Sequence, residues 1–306
     1  MSSRSSPAWS ASRSGVLIVL GDLVEDVVVW PTDPYRPGTD NPSTITRSRG
    51  GSAANVAACA ASLIPTRFVG RVGDDATGRR LVTDLTERGV EVAVQRTGRT
   101  GTIVVVVDAA GERTMFNDRG ASAELDAVDP SWLVGAAVLH VPAYGLVAEP
   151  MRSAIVDAAR VVRGNGGVVS VDLSAVSLVE AIGALELDDL IDQLAPIVVF
   201  ANREEAEALD LLNTPPKGGR LLVVKDGPRP AVIVRHTGGR DEAVEVPAEV
   251  VHDAVDTTGA GDAFAAGYLA SAIGGADPGT ACRQGHRLAA AVLRTPGAEL
   301  PRSDGE

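Results

Sequence analysis

Aromatic residues and lysine are both scarce in this chain of 306 residues. Phe, Trp and Tyr together make up 3% of it, the net charge is −12, and lysine occurs only at Lys217 and Lys225. A protein that binds polymeric nucleic acid needs clustered positive charge and, for single strands, aromatic rings on which bases stack. The composition therefore excludes polymeric nucleic acid as an expected partner.

Cysteine is nearly absent, and no apolar run is long enough to span a membrane. Cys59 and Cys282 lie far apart without CxxC spacing, a pattern typical of buried, reduced thiols in a cytoplasmic protein. The first apolar stretch, residues 16–20, is too short for a signal sequence or a membrane span. We therefore predict a cytoplasmic protein with no membrane partner. Residues 1–14, rich in Ser and Arg, are expected to form a disordered tail, with a transit peptide as the open alternative.

Several nucleotide-binding and hydrolase motifs are also missing. GxxxxGK[ST] does not occur, so nucleotide binding would not use a P-loop. HExxH, Cys/His zinc spacing and GxSxG do not occur either, which leaves zinc enzymes and serine hydrolases without support. An NAD-dependent dehydrogenase would need GxGxxG after the first strand, and Gly21-Asp22-Leu23 lacks those glycines.

Short β-branched runs alternate with amphipathic helical stretches along most of the chain. The apolar runs, bounded by turn residues, are 16–20, 138–141, 168–172, 197–201, 221–225 and 231–235. The helical stretches are 52–63, 76–88, 151–163, 187–194 and 203–212. Such apolar runs are typical of strands buried on both faces, as in a parallel sheet. The alternation predicts an α/β fold with a doubly wound, mostly parallel sheet flanked by helices.

Two regions show strand chemistry without intervening helices. They pair 27–30 with 43–47, and 102–108 with 113–117 across a hairpin-type loop. We expect these strands, from about 24–48 and 99–120, to form a small protruding sheet that serves as a lid. Their apolar residues on exposed sheet positions predict a homodimer through the lid. No linker separates two full domains, so 15–306 is expected to be one domain.

The segment Asp256-Thr257-Thr258-Gly259-Ala260-Gly261-Asp262 precedes an apolar run over residues 263–273. Small residues that open a helix leave backbone N–H groups free to converge on an anion. A carboxylate beside such a cradle suits a base, and the combination is what phosphoryl transfer to a hydroxyl requires. A glycine-rich turn occurs in many α/β proteins, but the fixed order of two Thr, two Gly and two Asp favours a function.

This segment resembles the DTxGAGD signature of the ribokinase-like (PfkB) family of carbohydrate and nucleoside kinases. The resemblance implies that Gly259, Ala260 and Gly261 cradle the transferred phosphoryl group and that Asp262 is the catalytic base. It further implies that Asp256 and Thr258 help to bind a monovalent cation, with K⁺ as the candidate. The similarity runs from about Val16 to Pro301.

The acceptor side of the site is implied by a second motif. Residues 50–55 read GGSAAN, which by itself is a helix N-terminus capped by Ser52. It resembles the family's GG-x-x-x-N element, and this implies that substrate hydroxyls contact Gly50, Gly51 and Asn55. Asp26 stands where family members place the Asp that holds the sugar, and Asp22 is a rival for that role.

The nucleotide side is implied by softer matches. Asn202 and Glu205 resemble the NxxE motif, which orders Mg²⁺-bound water and phosphates, although an ordinary helix N-cap explains the segment equally well. Lys225, Gly227 and His286 occupy positions that border the nucleotide in relatives. A solvated strand end and an ordinary helical histidine are the alternatives for Lys225 and His286.

The sequence therefore predicts an ATP- and Mg²⁺-dependent kinase that acts on a primary hydroxyl of a sugar or nucleoside. A non-catalytic sugar- or nucleotide-sensing protein on the same fold is the alternative from another class. A pentose, a ketohexose and a nucleoside of the pseudouridine or adenosine type all stay open as acceptors.

Arginines bear on the choice of acceptor. Arg119 lies in a segment that resembles the RGAxA loop of sugar kinases, which implies substrate binding. Asp172-Leu173-Ser174 departs from the DxNxR pattern of several relatives and weakens an acidic-sugar acceptor. A phosphorylated acceptor stays open because cations near the lid are available from Arg36, Arg47 and Arg49.

Overall fold

The computed structural model describes residues 15–108, 111–214, 217–237, 240–295 and 297–300. The predicted tail, 1–14, lies outside them. The strands are β1 (Val16–Leu20), β2 (Val24–Pro31), β3 (Ser43–Gly50), β4 (Thr66–Val72), β5 (Glu91–Arg96), β6 (Thr100–Val107), β7 (Arg113–Gly120), β8 (Ala136–Pro142), β9 (Val168–Asp172), β10 (Val198–Asn202), β11 (Leu221–Lys225), β12 (Ala231–Thr237) and β13 (Arg240–Val246). The α-helices are α1 (Ser52–Ala61), α2 (Ala76–Glu87), α3 (Met151–Gly164), α4 (Val176–Ile182), α5 (Ala184–Leu194), α6 (Arg203–Ala208), α7 (Ala260–Ile273) and α8 (Pro278–Val292).

A large, mostly parallel sheet forms the centre of the molecule, as predicted. Its strand order is β13-β12-β11-β10-β9-β8-β1-β4-β5, and the strands from β11 to β5 pair in parallel. The sequence predicts a parallel strand over 231–235. This prediction is wrong, because β12 pairs antiparallel with β11. The loop 226–230 between them is too short for a parallel crossover, which needs about a dozen residues.

Apolar side chains fill both faces of this sheet, and one group packs α1, α7 and α8 together. A Cβ on Gly267 would lie 2.7 Å from the Gln284 carbonyl oxygen, and one on Gly285 would lie 2.8 Å from that of Phe264. Glycine at both positions therefore lets α7 and α8 approach closely, and this contact sets the position of α7 beside α8. No helix in the described part of the chain has the length and apolarity to cross a bilayer.

The second sheet has four strands in the order β3-β2-β6-β7, which confirms the predicted small sheet. We call it the lid sheet. Its register pairs Asp26 with Ile103 and Val107 with Arg113. Because side chains alternate between the faces of a sheet, Asp26 and Arg113 lie on one face. The exposed Phe116 lies on the other.

Candidate active site

The N-terminus of α7 carries the segment Asp256–Asp262, which we call the anion-hole turn. Gly259 precedes the helix in a left-handed conformation, with φ of 74°. A Cβ at this position would lie 2.2 Å from the Cβ of Ala298, so only glycine fits. The amides of the first turn have no carbonyl within the helix to bond. The Ala260 amide makes a long bond, 3.3 Å, to the Thr257 carbonyl oxygen that precedes the helix, and the first-turn amides after it can donate to an anion.

Two side chains of α1 hold the Asp262 carboxylate. Ser52 donates its hydroxyl to Oδ1 at 2.5 Å, and the Asn55 amide donates to Oδ2 at 3.0 Å. The two residues are three positions apart and therefore share a helix face. The prediction that Ser52 caps α1 is wrong, because the N-cap is Gly51 and makes no side-chain capping bond. Ser52 is instead a site residue that sequence reasoning missed.

The environment of Asp262 makes its carboxyl group titratable near neutral pH. Burial raises the pKa of Asp262 to about 6, against the opposing hydrogen bonds from Ser52 and Asn55. The negative charge of Asp172 adds to the rise, and the ammonium of Lys225 opposes it. A carboxylate with a pKa close to the working pH is suited to accept a proton.

The Lys225 ammonium lies directly beside the anion-hole turn. Its Nζ is 2.6 Å from Asp172 Oδ2 and would be 3.3 Å from a Cβ on Gly261. Burial alone would lower the pKa of Lys225, but Asp172 and Glu205 outweigh it and keep the group charged. Asp172 was not predicted as a site residue, although an acidic residue at the carboxyl end of a buried strand was a usable signal.

Asn202 and Glu205 form a capping box at the start of α6. The Glu205 amide donates to Asn202 Oδ1, while the Glu205 carboxylate accepts from the Asn202 backbone amide and Nδ2, all at 2.8 Å. Glu205 is 2% exposed, and its carboxylate also interacts with Asp172 and Lys225. Burial and the Asp172 charge raise the pKa of Glu205 to about 7. The helix-cap role is therefore real, and it leaves the carboxylate among the other charged groups of the site.

The donor set suits Mg²⁺ held mainly by phosphates and water. Among the described residues, no cluster of three or more His, Cys, Asp or Glu side chains could hold a metal. Mg²⁺ commonly keeps several waters and uses one or two carboxylates together with substrate phosphates. The Glu205 carboxylate beside Lys225 fits that arrangement and supplies no closed metal cage.

A cavity of about 330 Å³ opens beside the anion-hole turn. Its wall includes Lys225, Gly227, Gly261, Phe264, His286 and Leu293. The His286 ring contacts the Phe264 ring edge-to-face, with centroids 5.1 Å apart. The structure thus brings the three predicted nucleotide residues Lys225, Gly227 and His286 to one cavity.

The Asp26 carboxylate lies directly against the backbone of Gly50. A Cβ on Gly50 would lie 2.0 Å from Asp26 Oδ1, so the carboxylate occupies the space that a side chain would take. Burial raises the pKa of Asp26 to about 6, with Arg49 opposing and Asp262 adding to the rise. Gly51 is required for a similar reason, since its Cβ would lie 2.3 Å from the Asp22 carbonyl oxygen.

The three arginines that bear on the choice of acceptor are already paired with carboxylates. Arg119, predicted to bind substrate, makes a bidentate contact with Asp22 at 2.8 and 2.9 Å. Arg119 therefore balances the charge of Asp22, which favours Asp26 as the residue that holds the acceptor. Arg47 bonds Glu25, and Arg49 bonds Asp84 and the Asn55 side-chain oxygen.

Asp256 and Thr258, the predicted cation ligands, lie together at the start of the anion-hole turn. The backbone amide and hydroxyl of Thr258 donate to Asp256 Oδ1 at 2.8 and 2.7 Å, and the Gly297 amide donates to Oδ2 at 3.0 Å. The Arg113 guanidinium donates to both side chains. Burial alone would raise the pKa of Asp256, but these hydrogen bonds lower it to about 2. No feature of the sequence pointed to Arg113.

Known proteins are similar to this chain in sequence and in fold. A fructokinase from Klebsiella pneumoniae is 33% identical over 271 residues, which cover 84% of this chain and 84% of that protein. The adenosine kinase structure from Sinorhizobium meliloti gives a TM-score of 0.82 at 26% identity and covers 95% of this chain and 97% of its own. A probable sugar kinase from Rhizobium etli CFN 42 gives a TM-score of 0.82 at 26% identity, with coverage of 96% and 97%.

The match extends to a family model. The model described as pfkB family carbohydrate kinase covers residues 16–304, nearly the whole chain. This range includes the anion-hole turn, Asn55 and Lys225, and thus the groups that surround Asp262. The chain therefore belongs to the pfkB family of carbohydrate kinases, phosphotransferases that act on an alcohol group.

Proposed function

We propose that this protein is an ATP-dependent kinase that transfers the γ-phosphoryl group to a primary hydroxyl of a neutral sugar or nucleoside. One observation carries the proposal. The Asp262 carboxylate interacts electrostatically both with Lys225, which lines the cavity of about 330 Å³, and with Asp26 of the lid sheet. A base near both a phosphate-side cation and a hydroxyl-binding carboxylate is the arrangement that phosphoryl transfer to an alcohol needs.

Each residue has a role that follows from its contacts. Asp26 and Asn55 orient the acceptor, and Asp262 removes the proton from its hydroxyl at Oδ1 or Oδ2. The amides of Gly259, Ala260 and Gly261, together with the Lys225 ammonium, stabilise the charge that spreads over the phosphoryl oxygens. Asp172 holds Lys225 in place. Mg²⁺, when bound with ATP, neutralises phosphate charge, and Asn202 and Glu205 would reach it through water.

The charges around Asp262 favour a neutral acceptor. Asp26 and Asp262 are close enough to interact electrostatically, and both repel an anionic substrate. Arg49 and Arg119, both largely buried, each bond a carboxylate that balances their charge, so neither offers an unpaired cation to a phosphate or an acid group. The relatives include a fructokinase and an adenosine kinase, which keeps both a ketohexose and a nucleoside as candidates.

A panel of acceptors tests this proposal. ADP release would be measured with ATP and Mg²⁺ and with fructose, ribose, adenosine, pseudouridine or fructose 6-phosphate. We expect turnover with at least one neutral acceptor and none with the sugar phosphate. Binding of a sugar or nucleoside, seen as a thermal shift, without ADP release from any mixture would instead support the sensing protein.

The rate should depend on pH through Asp262. Because its pKa is raised to about 6, the carboxyl group is protonated below that pH and cannot accept the hydroxyl proton. We expect kcat/KM to be level above pH 6 and to fall about tenfold per pH unit below it. The Asp26→Asn and Glu205→Gln variants control for the two other carboxyls of the site whose pKa values are raised, to about 6 and about 7, and each should keep this limb. A profile that is level down to the ordinary Asp pKa of 3.8 would exclude Asp262 as the base.

We also propose that 15–306 is a single kinase domain, that the lid sheet covers the acceptor, and that two lids join in a homodimer. Ile45 and Phe116, 58% and 60% exposed, lie on the lid face that points away from Asp26. An uncovered apolar sheet face favours burial against a partner. We expect a dimer by light scattering at micromolar concentration and a monomer for Phe116→Glu. A wild-type monomer under these conditions would contradict the dimer.

The state of the two cysteines supports a cytoplasmic location, which we also propose. Cys59 and Cys282 are both free and buried. Burial raises the pKa of each thiol to about 12, so neither is a reactive thiolate at neutral pH. Two inert, reduced cysteines are in keeping with a reducing compartment.

A further inference from the structure

The Arg113 side chain joins the lid sheet to the anion-hole turn. Arg113 opens β7, on the lid face that carries Asp26. Its guanidinium donates to Thr258 Oγ1 through Nη1 and to Asp256 Oδ1 through Nη2. The sheet that holds a proposed acceptor ligand is thereby joined to the turn that holds the proposed base.

The contacts of Asp256 and Thr258 leave little room for a metal ion while Arg113 is in place. Asp256 Oδ1 accepts from the Thr258 amide and hydroxyl as well as from Arg113, and Oδ2 accepts from the Gly297 amide. A monovalent cation needs several oxygen atoms with free lone pairs, and a guanidinium against the same atoms would repel it. The expected K⁺ ligands therefore do not fit K⁺ in this arrangement.

The ion pair between Arg113 and Asp256 lies where it can affect the geometry of the anion-hole turn. Asp256 is 13% exposed at its side chain and Arg113 is 24% exposed, so water screens the pair only in part. Thr258 is next to Gly259, whose left-handed conformation directs the cradle amides. A charge that holds Asp256 and Thr258 together therefore also fixes where these amides point.

We propose that Arg113 is a positioning residue that takes the place of a monovalent cation at Asp256 and Thr258. It fixes the shape of the anion-hole turn and ties that shape to the position of the lid sheet. Movement of the lid away from the turn would remove Asp26 from the acceptor and, in the same step, expose Asp256 without its cation. This role rests on the kinase function proposed above.

Thermal unfolding without nucleotide tests the cation replacement apart from activity. Wild type, Arg113→Met and Arg113→Met/Asp256→Asn would be compared in KCl and in tetramethylammonium chloride at equal ionic strength. We expect the wild-type Tm to be the same in both salts. For Arg113→Met, K⁺ should raise the Tm saturably by about 2–4 °C, and the added Asp256→Asn change should abolish that rise. Arg99→Met, which removes an exposed lid arginine paired with Asp118, is the matched control and should show no response to K⁺.

Turnover gives the second readout, with fructose as the first acceptor to be tried. The wild-type kcat should not depend on whether K⁺ or tetramethylammonium is present. In tetramethylammonium, Arg113→Met should lose about tenfold in kcat, and K⁺ or millimolar guanidinium should restore part of it. Arg113→Lys keeps the positive charge and should stay independent of K⁺.

The outcomes separate this inference from the kinase function. A K⁺-specific rise in the wild-type Tm would overturn the replacement, even if Arg113→Met does not fold. An Arg113→Met variant with unchanged turnover and no response to K⁺ would also overturn it. If no acceptor is phosphorylated, the kinase proposal fails, and the thermal measurements still decide whether Arg113 fills the cation site.

Discussion

Replacement of Asp262 by Asn is expected to lower kcat about 10²–10⁴-fold while the affinity for ATP stays nearly unchanged. The Asn side chain has the same shape, and its oxygen can accept from the Asn55 amide while its NH2 group donates to the Ser52 hydroxyl, but it cannot take the proton of the acceptor hydroxyl. The cavity that contains Lys225, Gly227 and His286 is left intact. ADP release under saturating substrates and ATP binding by calorimetry would measure the two effects separately.

The same variant should not be less stable than the wild type. Burial raises the pKa of Asp262 above the value of 3.8 for a free Asp, so at pH 7 its charge disfavours the folded state. Asp157→Asn, at an exposed carboxylate of α3 paired with Arg160, is the matched control and should keep full turnover. An Asp262→Asn enzyme with near-normal kcat would show that the base has been assigned to the wrong residue.

Replacement of Lys225 by Met should lower kcat/KM about 10²–10³-fold. The change removes the ammonium beside Gly261 and leaves Asp172, Glu205 and Asp262 without the cation that they surround. Because Lys225 lowers the pKa of Asp262, its loss should also move the acid limb of the pH–rate profile to higher pH. Steady-state kinetics across a pH series would record both effects.

The only other lysine of the chain provides the control. Lys217 bonds Asp188 and Asp192 on the surface, so Lys217→Met should leave the rate and the pH profile unchanged. Asp172→Asn combined with Lys225→Met should cost less than the sum of the single changes, since the two side chains act as a pair. A Lys225→Met enzyme with an unshifted acid limb would remove Lys225 from the electrostatics of the base.

The central strands could be predicted because their sequence is apolar on both faces. The predicted bounds of β1, β9 and β11 agree with the structure, since each of these strands lies inside the sheet with a neighbour on both sides. The interior strand β4 was missed because Arg67, Gly70 and Arg71 interrupt its apolar pattern. The edge strands β5 and β13 were missed as well. Both carry charged residues, such as Glu91 and Glu245, because a strand at the edge of a sheet is not covered on every side.

Site residues within a short motif could be predicted, and those brought in by tertiary structure could not. Gly259, Gly261 and Asp262 are fixed by one helix start. Ser52 and Asp172 lie within segments that were analysed, yet their contacts with Asp262 and Lys225 depend on how α1 and β9 pack. Arg113 is 143 residues from Asp256 in the chain, and no local pattern encodes such a contact.

The proposed transfer of a phosphoryl group to an alcohol, with Asp262 as the base, is tested most directly by following that group from ATP to its acceptor. ADP and the phosphorylated acceptor would be quantified together, by coupled assay and ³¹P NMR, for wild type and Asp262→Asn with ATP, Mg²⁺ and the neutral sugar or nucleoside that turns over. We expect one phosphate ester on a primary hydroxyl for each ADP from the wild type, and almost none from the variant. ADP formed at the same rate without an acceptor, or equal ester formation by both proteins, would contradict it.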